Sequence, residues 1–209
     1  ADDDERVRRR LALLEPYRTL LGHLRHETGH FFWDKLVRDG GELESFRQLF
    51  GDERQDYQQA LQNYYANPPS YAQWSPHFVS AYASAHPWED WAESWAHYLH
   101  LVDLLETAAS YHTQLCVPET AASPAIQVED PFSQPVPSFE TMVAQWVPVT
   151  LLLNSLSRSL GQLDAYPFAL SGGALHKLRY VHELVRRPHP LHAPGAGVLS
   201  PVSPPLQAP

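Results

Sequence analysis

The sequence predicts a mainly α-helical fold organised around two long helices, and three observations lead there. Apolar residues recur at helical spacing through several long stretches. Glycine and proline fall at the ends of those stretches, where they stop helices. No segment has the alternating pattern and turn residues of a convincing hairpin, and no internal repeat is present.

The first helix is expected over about Glu5 to Asp39, where Leu11, Leu14, Leu20, Leu21, Leu24, Phe31, Leu36 and Val37 keep helical spacing and Gly40-Gly41 ends the run. Pro16 either splits this helix or opens its main part. The apolar neighbours Leu20, Leu21, Leu24, Phe31 and Phe32 predict that part of it is buried. Shorter helices are expected at Glu42–Phe50 and Glu53–Tyr65, before the breaker Asn67-Pro68-Pro69-Ser70. The stretch Trp74 to Ala85 fits no single pattern. A long helix then starts at Pro87, where a missing N–H costs nothing, and runs to about Tyr111. Its core face is the stripe Trp88, Trp91, Ala92, Trp95, Leu99 and Val102. Five prolines make 117–137 a loop. Helix resumes over Ser138–Leu160, with a kink expected at Pro148, and again over Gly173–Arg187. The tail, Pro188–Pro209, holds seven prolines and reads as disordered or draped on the surface. The expectation is one helical domain, 1–187, followed by that tail.

Composition narrows the function classes. The chain has 209 residues and 44% hydrophobic residues, enough for a core, with six Trp, ten Tyr and eight Phe to fill it. A net charge of −9 argues against nucleic acid or an anionic membrane as partner. The longest strongly apolar run, Trp146–Leu153, is too short to span a bilayer. One cysteine, Cys116, permits no internal disulfide and no cysteine zinc finger; packing is its expected role. A reducing cytoplasm fits that usage.

Twelve histidines draw attention to one pattern, His26-Glu27-Thr28-Gly29-His30. On a helix, residues four apart stand one turn above each other on one face. Two imidazoles so placed can grip one Zn2+, with Glu27 between them as general base towards water. A catalytic zinc needs a third protein ligand and an open position. The metzincin continuation requires glycine and histidine three and six residues after His30; Trp33 and Leu36 stand there, which excludes that class. Glu89 and Glu93 lie one turn apart on the long second helix, at the margin of its tryptophan stripe. One would ligate and the other would orient a ligand histidine through its free ring N–H. His100 shares that face and is a further candidate for such support; His86 and His97 lie nearby.

Two other classes share parts of this pattern. A di-iron bundle needs a second ExxH, but Ala96 stands three residues after Glu93. A zinc-binding module without activity, kept as a scaffold or for partner binding, fits the same ligands.

The segments LLGHLRHETGHFFWDKLV, ELESFRQLFGDERQDYQQAL and FVSAYASAHPWEDWAESWAHYLH resemble a bacterial zinc-binding metallopeptidase family, first defined as a domain of unknown function and often carrying an N-terminal zinc ribbon. The resemblance covers about residues 1–115. The ribbon's cysteines are absent, so the chain reads as the peptidase part alone. More broadly it is similar to gluzincin-type enzymes. That likeness implies a zincin-like helical core, Glu89 as third ligand, Glu93 supporting a ligand histidine, and Tyr82, seven residues before Glu89, facing the transition state. It implies hydrolysis of a peptide or protein substrate. The small sheet that such enzymes place before the motif helix has no counterpart in the residues preceding His26, which read as helix. Oligomeric state is not legible.

Overall fold

The computed structural model describes residues 19–116 and 125–187. They form a mainly helical structure, as predicted: α1 (Leu20–Trp33), α2 (Leu43–Phe50), α3 (Tyr57–Ala66), α4 (Tyr71–Trp74), α5 (Pro87–Ser110), α6 (Phe139–Ser159) and α7 (Gly172–Arg186). A π-helical turn at Asp34–Arg38 continues α1, and a 3-10 turn at Tyr82–Ala85 precedes α5. The expected helix start at Glu5, with Leu11, Leu14 and Pro16, lies outside the described residues, as do Pro118, Pro124 and the tail 188–209.

Several helices begin where a side chain satisfies a free N–H group. Thr19 Oγ1 accepts from the Gly22 N–H at 2.9 Å, and Ser138 and Ser171 do the same for α6 and α7. At α5 the cap is His86: its Nδ1 accepts from the Trp88 N–H, and Nε2–H donates to the Gln55 carbonyl. The ambiguous stretch Trp74–Ala85 resolves into the end of α4, a loop and the 3-10 turn. Pro148 lies inside α6, and the helix runs through it.

The centre of the structure is α5, which packs against α1, α6, α7 and the 3-10 turn. Trp91, Ala92, Trp95 and Val102 of its predicted stripe are buried; Trp88 and Leu99 are partly so. Around them Trp33, Phe46, Met142, Trp146 and Leu178 complete one core. The buried Lys177 of α7 donates to Asp90 Oδ2 at 2.6 Å and to the His77 carbonyl at 2.8 Å, tying α7 to the first turn of α5.

Helices α1 and α5 approach most closely at Gly29. A Cβ there would stand 2.9 Å from Ala92 Cα and 3.2 Å from Trp95 Cβ. The Trp91 indole N–H donates to the Gly29 carbonyl at 2.8 Å, and that of Trp95 to Thr28 Oγ1 at 3.3 Å. Thr28 and Gly29, the two middle residues of the histidine motif, thus dock the helix.

Part of α1 is buried as expected, though on a face other than its leucines, and two further expectations need correction. Leu20, Leu24 and Phe31 are 68%, 60% and 58% exposed, and Leu21 and Phe32 are exposed too. A helix held mainly by one neighbour buries only one stripe, and α1 buries His26, Gly29 and Trp33 instead. Cys116 is exposed rather than packed. The proline-rich loop is also not wholly irregular, because Ile126–Gln127 pair antiparallel with Gln114–Leu115 in a two-residue ladder. That ladder is too short to leave an alternating signature in the sequence.

Candidate metal centre

His26 and His30 stand one turn apart on α1, and Glu89 comes from the first turn of α5. The Gly29 contact brings these helix faces together. His26 Nε2 lies 3.2 Å from His30 Nε2 and 3.1 Å from Glu89 Oε2, and His30 Nε2 lies 3.7 Å from Glu89 Oε1. A tetrahedral ion with bonds of about 2.0–2.1 Å has donor–donor edges of about 3.3–3.4 Å. The donors sit close to that spacing, and all three lie within 4.8 Å of one another.

The residues fit such an ion on a second ground. Glu89 is 1% exposed, and its Oε2 receives no hydrogen bond, although His26 Nε2 stands 3.1 Å away. A buried carboxylate oxygen without a donor is costly unless a cation meets it. Two imidazoles and one carboxylate are a donor set suited to zinc.

Behind the three donors a support chain is in place. His26 Nδ1–H donates to Glu93 Oε1 at 2.7 Å, which leaves Nε2 to face Glu89 and His30. Glu93 Oε2 accepts from Ser80 Oγ at 2.7 Å, and Ser80 Oγ accepts from the Ala83 N–H at 3.1 Å. On the other side Tyr57 donates to Glu89 Oε1 at 2.6 Å.

The electrostatics follow from this geometry. Burial pushes His26 down, but the adjacent charge of Glu89 and the hydrogen bond and charge of Glu93 outweigh it and raise its pKa to about 10. Without a metal, an imidazolium thus supplies the positive charge that two carboxylates demand. Burial, helped by the His26 charge, lowers His30, although Glu89 opposes it. Burial favours neutral Glu93, yet bonding to His26 holds its carboxyl down at about 2.

The other sequence candidates fall at different distances from this cluster. Glu27 is exposed, with Oε1 3.6 Å from His23 Nδ1. Tyr82 sits on the 3-10 turn with its ring 6.0 Å from that of His26. Burial, then the charge of Glu89, raises the Tyr82 hydroxyl, so it stays protonated and able to donate. His100 lies further along α5, where its Nδ1 accepts from Arg25 at 2.6 Å; burial brings its pKa down to about 3. His97 accepts from the Tyr166 hydroxyl through Nδ1, and burial lowers it to about 4. His86 is the helix cap already described.

Sequence reasoning missed two residues. Tyr57 opens α3, a short helix with no motif. Ser80 is one small residue in a loop. Only the distance in space, not spacing in the chain, links either to the cluster.

Among known proteins, the chain is 42% identical over 185 residues to uncharacterized proteins of Mycobacterium bovis and Mycobacterium tuberculosis. The match covers 88% of this chain and 51% of each relative, so the chain spans about half the length of the curated relatives it matches. No solved structure matches it. The family model described as "Putative zinc-binding metallo-peptidase" matches residues 1–184, and the chain belongs to that family.

Proposed function

We propose that this chain is a zinc-dependent peptidase in which His26, His30 and Glu89 hold the ion. The observation that carries the proposal is the convergence of these three donors, with Glu93 fixing the His26 ring from behind. Zinc held there supplies Lewis acidity, which polarises a scissile carbonyl and acidifies water. Glu27, exposed and next to His26, is the general base: it takes the proton of the attacking water and returns it to the leaving amine. Tyr82, held protonated, donates to the developing oxyanion. Glu93 fixes the His26 ring and tautomer. His100 acts at one remove, by seating Arg25, the residue before His26.

A second reading, a zinc-holding module without activity, draws on one observation. Among the described residues the sheet is a single two-residue ladder, so no long edge strand is available to bind a peptide by strand addition.

Metal analysis and peptide hydrolysis on three proteins separate these readings. Wild type and Glu27→Gln are expected to retain about one zinc per chain, and Glu89→Ala much less. Hydrolysis by wild type that Glu27→Gln abolishes supports the peptidase. Zinc retained in wild type without hydrolysis of any peptide supports the inactive module. Equal zinc in all three removes Glu89 from the site.

A further inference from the structure

We infer that the cavity beside His30 is a side-chain pocket for the substrate, taking a large apolar or aromatic residue next to the bond that is cut. The inference rests on the peptidase reading and adds a substrate class to it. The cavity has a volume of about 310 Å³ and is lined by His30, Trp33, Asp34, Tyr57 and Trp88. Two of these residues belong to the cluster as well: His30 is one of its three donors, and Tyr57 holds Glu89 Oε1. A side chain that enters the cavity therefore lies directly beside the reacting centre.

The walls select by chemistry. Trp33 and Trp88 meet edge to face with centroids 5.4 Å apart, and Tyr57 lies 6.2 Å from Trp88, so three aromatic rings bound the space. Such walls favour apolar bulk. Asp34 supplies the one carboxylate of the lining, and Arg38 already pairs with its Oδ1 at 2.6 Å, which offsets its pull on a basic side chain. An acidic side chain would meet Asp34 with Glu89 close behind. The indole N–H groups of Trp33 and Trp88 are buried and make no hydrogen bond.

The test is calorimetric titration of the zinc-loaded full chain with the N-acetyl hydroxamates of phenylalanine, lysine, aspartate and glycine. The phenylalanine compound is expected to bind at least about tenfold more tightly than the glycine one, since it buries a ring that glycine lacks. The lysine and aspartate compounds are expected to show no such gain. Trp88→Ala is expected to remove the gain with zinc content unchanged, and Trp88→Phe to restore part of it. If Trp88→Ala does not fold, the comparison of the four compounds on wild type decides. Equal binding of the phenylalanine and glycine compounds by zinc-loaded chain, or tightest binding of the lysine compound, overturns the pocket and leaves the metal reading intact. A wild-type chain that retains no zinc overturns the metal reading, and the pocket falls with it.

Discussion

Substituting Gly29 by alanine tests how closely the two site-bearing helices must approach. Carbon atoms in ordinary contact stand about 3.5–4.0 Å apart. The added Cβ would lie 2.9 Å from Ala92 Cα, which is backbone, and 3.2 Å from Trp95 Cβ and Cδ1. None of these atoms is the free end of a flexible chain, so α1 and α5 must part by about 0.6–1 Å. Overpacking of this kind costs about 1–3 kcal/mol. Weakening the Trp91 bond to the Gly29 carbonyl adds about 1 kcal/mol. Alanine's better helix propensity offsets about 1 kcal/mol. The net loss is about 1–3 kcal/mol, or a fall in melting temperature of roughly 3–10 °C for a chain of this size. The same displacement moves His26 and His30 away from Glu89 by several times the ~0.2 Å that a metal site tolerates. Zinc affinity, measured by competition with a chelator, is therefore expected to fall at least about tenfold. A Gly29→Ala protein that melts at or above the wild-type temperature and binds zinc as tightly would refute the reasoning.

Three further outcomes are expected. Glu93→Ala leaves the His26 ring without its Nδ1–H acceptor and should weaken zinc binding by about 10–100-fold in the same competition assay. Lys177→Met strands the buried Asp90, whose carboxyl burial already pushes up to about 7 despite the lysine, and should cost about 3–5 kcal/mol in urea unfolding at neutral pH. The third outcome concerns acid stability: the Arg47 guanidinium, bonded to Glu53 at 2.9 Å, outweighs burial and holds the Glu53 carboxyl below its usual 4.5. A depressed folded-state value gives stability that is present above 4.5 and lost as pH falls through the lower one. Acid titration of Glu53→Gln followed by circular dichroism should therefore show a smaller stability loss below pH 4.5 than wild type.

How much of this was legible in the sequence depends on the range over which each feature acts. The pairing of His26 with His30 is a matter of helical pitch, so five consecutive residues reveal it. The placing of Glu89 and Glu93 on a second helix follows from Pro87 and the tryptophan stripe, both local signals. Which carboxylate faces which nitrogen was not legible from pitch, because Glu89 and Glu93 share a face of α5. Their order is set by where α1 crosses α5, and that depends on Gly29. Which face of α1 is buried is not legible at Leu20, Leu24 and Phe31, because an apolar side chain in sequence does not say whether a neighbour covers it. The contacts of Tyr57 with Glu89 and of Ser80 with Glu93 join residues of separate elements and leave no periodic trace.

The Ser80 hydroxyl is engaged on both sides, giving its one proton to Glu93 and accepting the Ala83 N–H. Ala83 belongs to the turn that carries Tyr82, and Glu93 steers the His26 ring. One oxygen is therefore the joint of a linkage: the turn cannot swing without releasing Glu93, and Glu93 cannot let go of the imidazole without loosening the turn. The tyrosine and the histidine keep a common alignment, and a loop residue with a two-atom side chain sets the tolerance between them.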